Sequence, residues 1–579
     1  MTFTKEPLTV VRIRQPKCSR TFGVAPCNAA GSRCWNTDAT CRFRAALDMT
    51  AEIVMDFVAK DESHEWIAAP GAYQPALAEP GLIGAPQYAP TELNVADGDD
   101  DKASIGLRAV VQIPFADYPH NDVGFDDYLS TRAYDPLTQG TRWGKWLKRN
   151  PFYEGNTVEV YEGNRGDALS AMTKRVYRMT KVDRTADQVQ VTAKDILSQI
   201  TDTGVRWPPL SPGELQVDIT AVQTAFTVIN AFEADYPATG YVRIGDELIA
   251  YTSRAGGSGT LTFSGCTRGV LNTTAATQKQ ASRVQRVIAY EAVRGDAIMK
   301  DIIEVGGGIP SAFVPYADWQ GETTQWRAEY IFTSYITEPT LVEDLAGELC
   351  ASMLMHLWWD ERLQQIRFKA QAPEPAPVAL DWQADILKGS FKEIAHPEQR
   401  ASRFILYYRP RSWVGSMSDS TNFQSAREYR DVLAETQYRT ATPREMFSRW
   451  IQSDALAVNL AGTYVGRFRD VRRKISFSLA APVVWTGDQV RVTHYADTDF
   501  TGAPATNLWL ITKAETIIAG AAYAYEAEDN NMVGALWEWV ADTVPEWGAA
   551  TPEQKATIGY WLDDDGRDLD GNPQPWRWL

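Results

Sequence analysis

The sequence predicts a mainly β, multidomain protein with a mixed α+β C-terminal part. Three observations carry that expectation. Segments such as "NTVEVYEG" and "YVRIGDELIAYTS" alternate apolar and polar residues at the two-residue period of a half-buried strand. Clear helix grammar is confined to two segments in the later part of the chain. The length of 579 residues suits roughly three to five domains at ~100 to 200 residues each.

Composition narrows the class. Hydrophobic residues make up 44% and charged residues 23%, as in ordinary globular proteins, which argues against disorder. The 57 Lys+Arg against 74 Asp+Glu leave a formal charge of -17, which repels nucleic acid over most of the surface and disfavours a dedicated DNA-binding role. An acidic wall is compatible with DNA that only slides past. There is no apolar run of about 18 residues, and "MTFTKEPLTVVRIRQ" has neither the basic start nor the apolar stretch of a signal peptide. The expectation is a chain made in the cytosol without stable membrane insertion, where clustered cysteines point to a metal before a disulfide framework.

Residues 1–70 are expected to form a four-cysteine domain. Cys18, Cys27, Cys34 and Cys41 are spaced C-x8-C-x6-C-x6-C, and the rest of the chain holds only Cys266 and Cys350. Four thiolates match the ligand count of a tetrahedral zinc site or of a cubane iron-sulfur cluster. Zinc sites favour tight C-x2-4-C knuckles, whereas wide, even gaps suggest a loop wrapped around a larger object, which puts iron-sulfur ahead of zinc. Two disulfides or four unrelated buried thiols are the remaining alternatives. Arg12, Arg14, Lys17, Arg20, Arg33, Arg42 and Arg44 crowd the same segment, and such cations lower thiol pKa values and offset thiolate charge. Cys266 and Cys350 read as small hydrophobes in a strand or turn and on a helix face.

Residues 71–102, rich in Pro and Gly, read as an extended linker. Residues 103–204 alternate as a β-barrel or sandwich, with "KRVYRMTKVDRTADQVQVTAKDIL" giving two strands joined around 184–187. The intervening "FDDYLSTRAYDPLTQGTRWGKWLKRNPFYEG" either contacts a partner or packs Trp143 and Trp146 onto its own barrel. Residues 205–288 read as an inserted small β-domain, 289–400 and 401–535 as α+β units, and 536–579 as an acidic tail. Two helices are expected. One begins with Thr340 and Glu343 in capping-box spacing and puts Val342, Leu345, Ala346, Leu349 and Met353 on one face. The other takes Thr442 as cap, Pro443 at its first turn, Glu445 closing the box and Gly462 as its stop.

No catalytic constellation stands out. His64, His120, His356, His396 and His494 form no metal-ligand pair, and "VGGGIP" lacks the Gly-Lys-Ser/Thr of a phosphate loop. The tail residues Asp563, Asp565 and Gly566 match part of a calcium loop, but no Glu closes it. Twenty tryptophans and 24 tyrosines supply either protein interfaces or Trp-rich β cores.

Together, "CSRTFGVAPCNAAGSRCWNTDATCRF", the 103–155 region, "IGDELIAYTS" with "GCTRGVLNTTAA", and "YWLDDDGRDLDGNP" resemble the tail-tip (baseplate) hub proteins of long-tailed bacteriophages and gene transfer agents. The resemblance runs along nearly the whole chain. It implies a homotrimeric structural virion protein, not an enzyme, at the distal end of the tail tube. The implied partners are the distal tail protein, the tape-measure protein C-terminus and the central fibre or receptor-binding protein, with DNA only in passage. It also implies a 4Fe-4S cluster held by Cys18, Cys27, Cys34 and Cys41, with zinc as the alternative. In lambda-like hubs the cysteine region lies near the C-terminus, and here it lies near the N-terminus. The rivals from other classes are an iron-sulfur redox enzyme and a tail-associated cell-wall hydrolase.

Overall fold

In the computed structural model, which describes residues 6–93 and 105–529 apart from 107, 108, 202, 258, 371, 373, 375, 376, 499, 500, 519 and 520, the architecture is mainly β. The first sheet comprises β1 (Pro7–Lys17), β2 (Ala51–Ala59), β3 (Glu79–Leu82), β4 (Gln87–Ala89), β5 (Val110–Ala116), β6 (Thr157–Asn164), β7 (Thr173–Arg184) and β8 (Gln188–Lys194). Its order is β3-β2-β1-β6-β7-β8-β5-β4, and a further pairing of β3 with β5 through Leu82 and Phe115 closes seven of these strands into a barrel. Strand alternation sorts the side chains. Val11 and Ile13 of β1 enter the barrel core, while Leu8 and Val10 join Val58, Tyr161 and Met172 in a separate cluster.

Two expected boundaries change. Segment 1–70 does not stand apart, because β1 pairs with both β2 and β6 and so belongs to the barrel. Its cysteines lie in the loop between β1 and β2. The described part of the 71–102 segment is not merely a linker: β3 and β4 lie there, and β3 forms the seam. The glycine there has a packing reason, since a Cβ on Gly81 would stand 2.6 Å from the Phe57 ring.

The aromatic, basic stretch before β6 folds onto its own barrel. Helix α1 (Arg142–Arg149) is capped by Thr141, whose hydroxyl accepts from the Gly144 N–H. It buries Trp143 and Trp146 in the barrel core, with the Trp143 ring 4.9 Å from Phe115 and 5.7 Å from Phe57.

The hairpin and strands expected in the small β unit form, but the hairpin's sheet continues through Gln285–Arg294 to Ile331–Ile336, outside 205–288. The hairpin Gly240–Ile244/Glu247–Tyr251 turns at Gly245, whose φ of 58° suits glycine. A four-stranded sheet that includes Ala225–Ala231 and Gly259–Ser264 packs with the hairpin around Phe226, Tyr236, Val242 and Phe263.

In the C-terminal half one helix matches and one does not. The helix Val342–Met353 buries all five predicted face residues, but Leu341, not Thr340, is its N-cap and makes no side-chain cap bond. The 443–462 helix is displaced. Pro443–Phe447 is a strand parallel to Arg403–Pro410, and the helix is Asp454–Phe468, with Gly462 inside it. Backbone pairing to an available strand edge overrides the local capping signal there. The boundary at residue 400 also shifts, because one six-stranded sheet joins Val378–Asp381 and Lys392–His396 to strands between 472 and 529.

Arg175 on β7 ties the barrel to the C-terminal half. It is 2% exposed and lies 3.1 Å from Glu162 on β6 and 3.3 Å from Glu361 in the turn after Met355–Asp360. Its guanidinium also donates to the Thr516 hydroxyl and sits over the Tyr88 and Trp485 rings. Arg175→Met leaves both carboxylates buried and should cost about 3–5 kcal/mol, seen as an earlier unfolding transition. Lys181→Met, at an exposed pair with Asp183 on the same strand, should shift that transition little.

Candidate metal centre

β1 ends at Lys17 and delivers Cys18 directly, so the first thiol is fixed to the barrel. The Cys18 N–H donates to the Asn36 carbonyl at 2.7 Å, folding the loop back on itself. Cys27 and Cys41 each close a tight turn, donating to the carbonyls of Val24 (2.9 Å) and Asp38 (3.1 Å). All four cysteines border one small cavity, whose other walls include Phe22, Phe43 and Leu47. Cys18 and Cys34 are each 9% exposed, and Cys27 and Cys41 are half-buried. None of the six cysteines is paired in a disulfide. Among the described residues no group of three or more His, Cys, Asp or Glu side chains is arranged to hold a single metal ion.

The cations of the segment act differently from expectation. Arg12, Arg14, Lys17, Arg20 and Arg44 pair with Asp56, Glu159, Asp127, Asp48 and Asp38 at 2.7 to 3.1 Å. Burial pushes the Cys34 thiol up, the other three cysteines push it the same way, and the Asn36 backbone N–H only partly opposes them. At this thiol desolvation is the largest influence.

Sequence reading missed the support for this loop. Asn36 donates to Asp127 at 2.8 Å, the Phe22 N–H donates to the Tyr128 hydroxyl at 2.8 Å, and Arg132 donates to two loop carbonyls. These partners lie roughly a hundred residues downstream, and no local pattern marks them.

Other marked features have structural explanations. Cys266 is 4% exposed in the small β core and Cys350 is fully buried in its helix, with burial pushing both thiols up, Cys266 to about 11. In "GCTRGVLNT", Arg268 forks onto the buried Glu247 at 2.7 and 2.6 Å, and Glu247 also accepts from Gln278 and from the N–H groups of Gly269 and Ala276.

The histidines are dispersed. His356 is buried and its pKa falls to about 3 through desolvation and the nearby Arg467. The His494 ring stacks on Phe391 at 3.8 Å, His396 meets Glu398 at 2.7 Å, and His120 accepts from the Asp122 N–H. A cleft of about 700 Å3, unforeseen from sequence, is lined by Trp207, Tyr241, Tyr251, Arg286, Tyr290 and Asp301, with the Tyr290 hydroxyl already bonded to Asp301. Ten of the fourteen tryptophans among the described residues are buried, which favours Trp-rich cores. The Asp563 to Asp570 cluster lies outside the described residues, and among the described residues no helix is long and apolar enough to cross a membrane.

No protein-family profile matches the chain, and no curated protein matches it. Among solved structures, it is similar to the tail protein from Neisseria meningitidis MC58, at 9% identity and TM-score 0.35, covering 77% of this chain and 92% of that one. It is also similar to the 43 kDa tail protein of prophage MuSo2 from Shewanella oneidensis, at 9% identity and TM-score 0.36, covering 78% and 97%. A chain of a native gene transfer agent virion aligns at 14% identity and TM-score 0.30, covering 55% and 84%. Likeness at these TM-scores establishes no shared activity.

The Glu247 site predicts a pH dependence. Burial raises its carboxyl pKa, but Arg268, Gln278 and the Ala276 N–H outweigh burial and hold it below its ordinary value. Its stabilisation is therefore whole above the ordinary Glu value of about 4.5 and is lost as pH falls through the depressed native value. Glu247→Gln should cost about 3 kcal/mol at neutral pH, and its deficit should shrink as pH falls below about 4.5. Thermal unfolding of both chains across that range checks this, and a constant gap would contradict it.

Proposed function

We propose that the chain is a structural component of a phage-like tail tip: a hub subunit, assembled in threes, that closes the distal end of a tail tube and carries a four-cysteine iron-sulfur centre. The observation that carries the reading is the convergence of Cys18, Cys27, Cys34 and Cys41 on one cavity at the end of a barrel strand. The resemblance of the cysteine segment and of "GCTRGVLNT" to tail-tip hubs supplies the context.

The residues present fit such a cluster. Four thiols border a common space with Phe22, Phe43 and Leu47, and the polar side chains that also line it, Arg20, Asn36, Thr37 and Arg42, include no carboxylate or imidazole. The wide spacing favours a cluster that fills the space over one zinc ion. When bound, the cluster would cross-link four points of the loop and supply folding free energy there. The chain's own contribution is to present Cys18 from β1 and to hold Cys34 buried. In the assembly, a threefold ring of heterologous contacts closes on itself. The same reading assigns the distal tail protein, the tape-measure protein C-terminus and a central fibre as neighbours.

Iron, zinc and acid-labile sulfide analysis of anaerobically purified protein tests the centre. About four iron and four sulfide per chain are expected, lost when all four cysteines become Ser. Zinc, or intact disulfides without metal, would overturn the cluster. Solution mass should give three chains per particle, and a monomer at assembly concentration would overturn the hub arrangement.

A further inference from the structure

We infer that Arg132 is the positioning residue that clamps the backbone at Cys34, an inference whose link to metal binding rests on the reading of the four cysteines as one centre. The Arg132 side chain is 7% exposed, and it comes from the 122–132 segment, not from the cysteine loop. Its Nη1 donates to the Arg33 carbonyl and its Nη2 to the Cys34 carbonyl, both at 2.7 Å. The fork therefore grips the carbonyls of the two successive peptide links that flank Cys34.

The guanidinium is itself held. Nε and Nη2 donate to the two carboxylate oxygens of Asp126 at 2.6 and 2.9 Å, and the Asp126 side chain is fully buried. Asp126 is fixed in turn by the Tyr128 N–H at 3.0 Å. Arg132 also lies over the Trp35 ring at 4.1 Å, with Arg149 of α1 5.0 Å from the same ring. The residue after Cys34 is thus tied to the helix whose tryptophans fill the barrel core.

The planar fork explains the residue type. A guanidinium reaches two carbonyls and a carboxylate at once in fixed geometry, whereas an ammonium on a flexible stem carries the same charge without that geometry. Cys18 is anchored by β1 and Cys34 by Arg132, while Cys27 and Cys41 sit on local turns. Two of the four thiols are therefore preorganised by the barrel before any ligand arrives, the role that outer partners play around metal ligands.

Per-site thiol alkylation of the reduced, metal-free full-length chain tests this, with peptide mass spectrometry resolving all six cysteines. In the unmodified chain Cys34 should react more slowly than Cys27 and Cys41. R132Q should speed Cys34 by about tenfold or more while Cys266 and Cys350 stay protected, and R132K should follow R132Q. An unchanged Cys34 rate in R132Q, or R132K behaving as the unmodified chain, would overturn the inference. If R132Q also exposes Cys266 and Cys350, the variant has unfolded, and Asp126→Asn, which frees the fork without removing it, decides by the same Cys34 rate. Once iron is loaded, both Arg132 variants should lose it to a chelator about 10–100 times faster. If the unmodified chain binds no metal yet Cys34 accelerates in R132Q, the metal-centre reading fails and the clamp stands.

Discussion

The antiparallel pairing of β1 with β2 is the constraint on which the candidate centre depends. Its register runs from Val11 opposite Phe57 to Lys17 opposite Ala51, so residues 18–50 must leave and re-enter the barrel at adjacent points. Closing a loop of that length costs conformational entropy, and within it only Cys18, Cys34, Asn36 and Thr37 are buried. A segment with so little apolar burial cannot hold itself by a core. Its order comes from ties to neighbours: Asn36 and Lys17 to Asp127, Phe22 to Tyr128, and Cys34 to Arg132. Four thiols around one cavity are the remaining tie, and that tie is the one a metal centre would complete.

Arg175 plays the corresponding part between larger units. Its partners come from the barrel (Glu162, Tyr88), from a hairpin turn (Glu361) and from the C-terminal sheet (Thr516, Trp485). A buried ion set contributes little net free energy over a well-packed apolar substitute, yet losing one member is expensive. Its consequence here is positional: one guanidinium lies against a carboxylate of the barrel, a carboxylate of the hairpin turn and a hydroxyl of the C-terminal sheet.

What could be read from the residues follows from the range of the interactions. β6, β7 and β8 were legible because each alternates and is joined to the next by a short turn. The partners of β1 were not legible, since it finds β6 across roughly 140 residues of chain that carry no pairing code. The helix Val342–Met353 was legible from its face residues. The Thr442 capping box misled, because a signal worth about 1 kcal/mol competes there with five register pairs to Arg403–Pro410. The gathering of the four cysteines was legible from their number and isolation, whereas Arg132 was invisible because its role exists only once two distant segments meet.

The electrostatics of the loop follow from an acidic chain's surplus of carboxylates. Positive charge concentrated in residues 12–44 suggested a field that would stabilise thiolates, but most of those cations are bound to acids of the loop itself or of the barrel. Arg33 instead lies over the Tyr128 ring, and Arg42 reaches the Ser32 hydroxyl. With those cations paired, burial is the largest influence on the Cys34 thiol and pushes it up. The arginines therefore act on the backbone before they act on sulfur: Arg44 holds the 38–44 turn through Asp38, Arg20 holds the loop's return through Asp48, and Arg132 holds the backbone at Cys34 through its carbonyls. The loop's cations serve by fixing where the backbone that carries the four sulfurs stands.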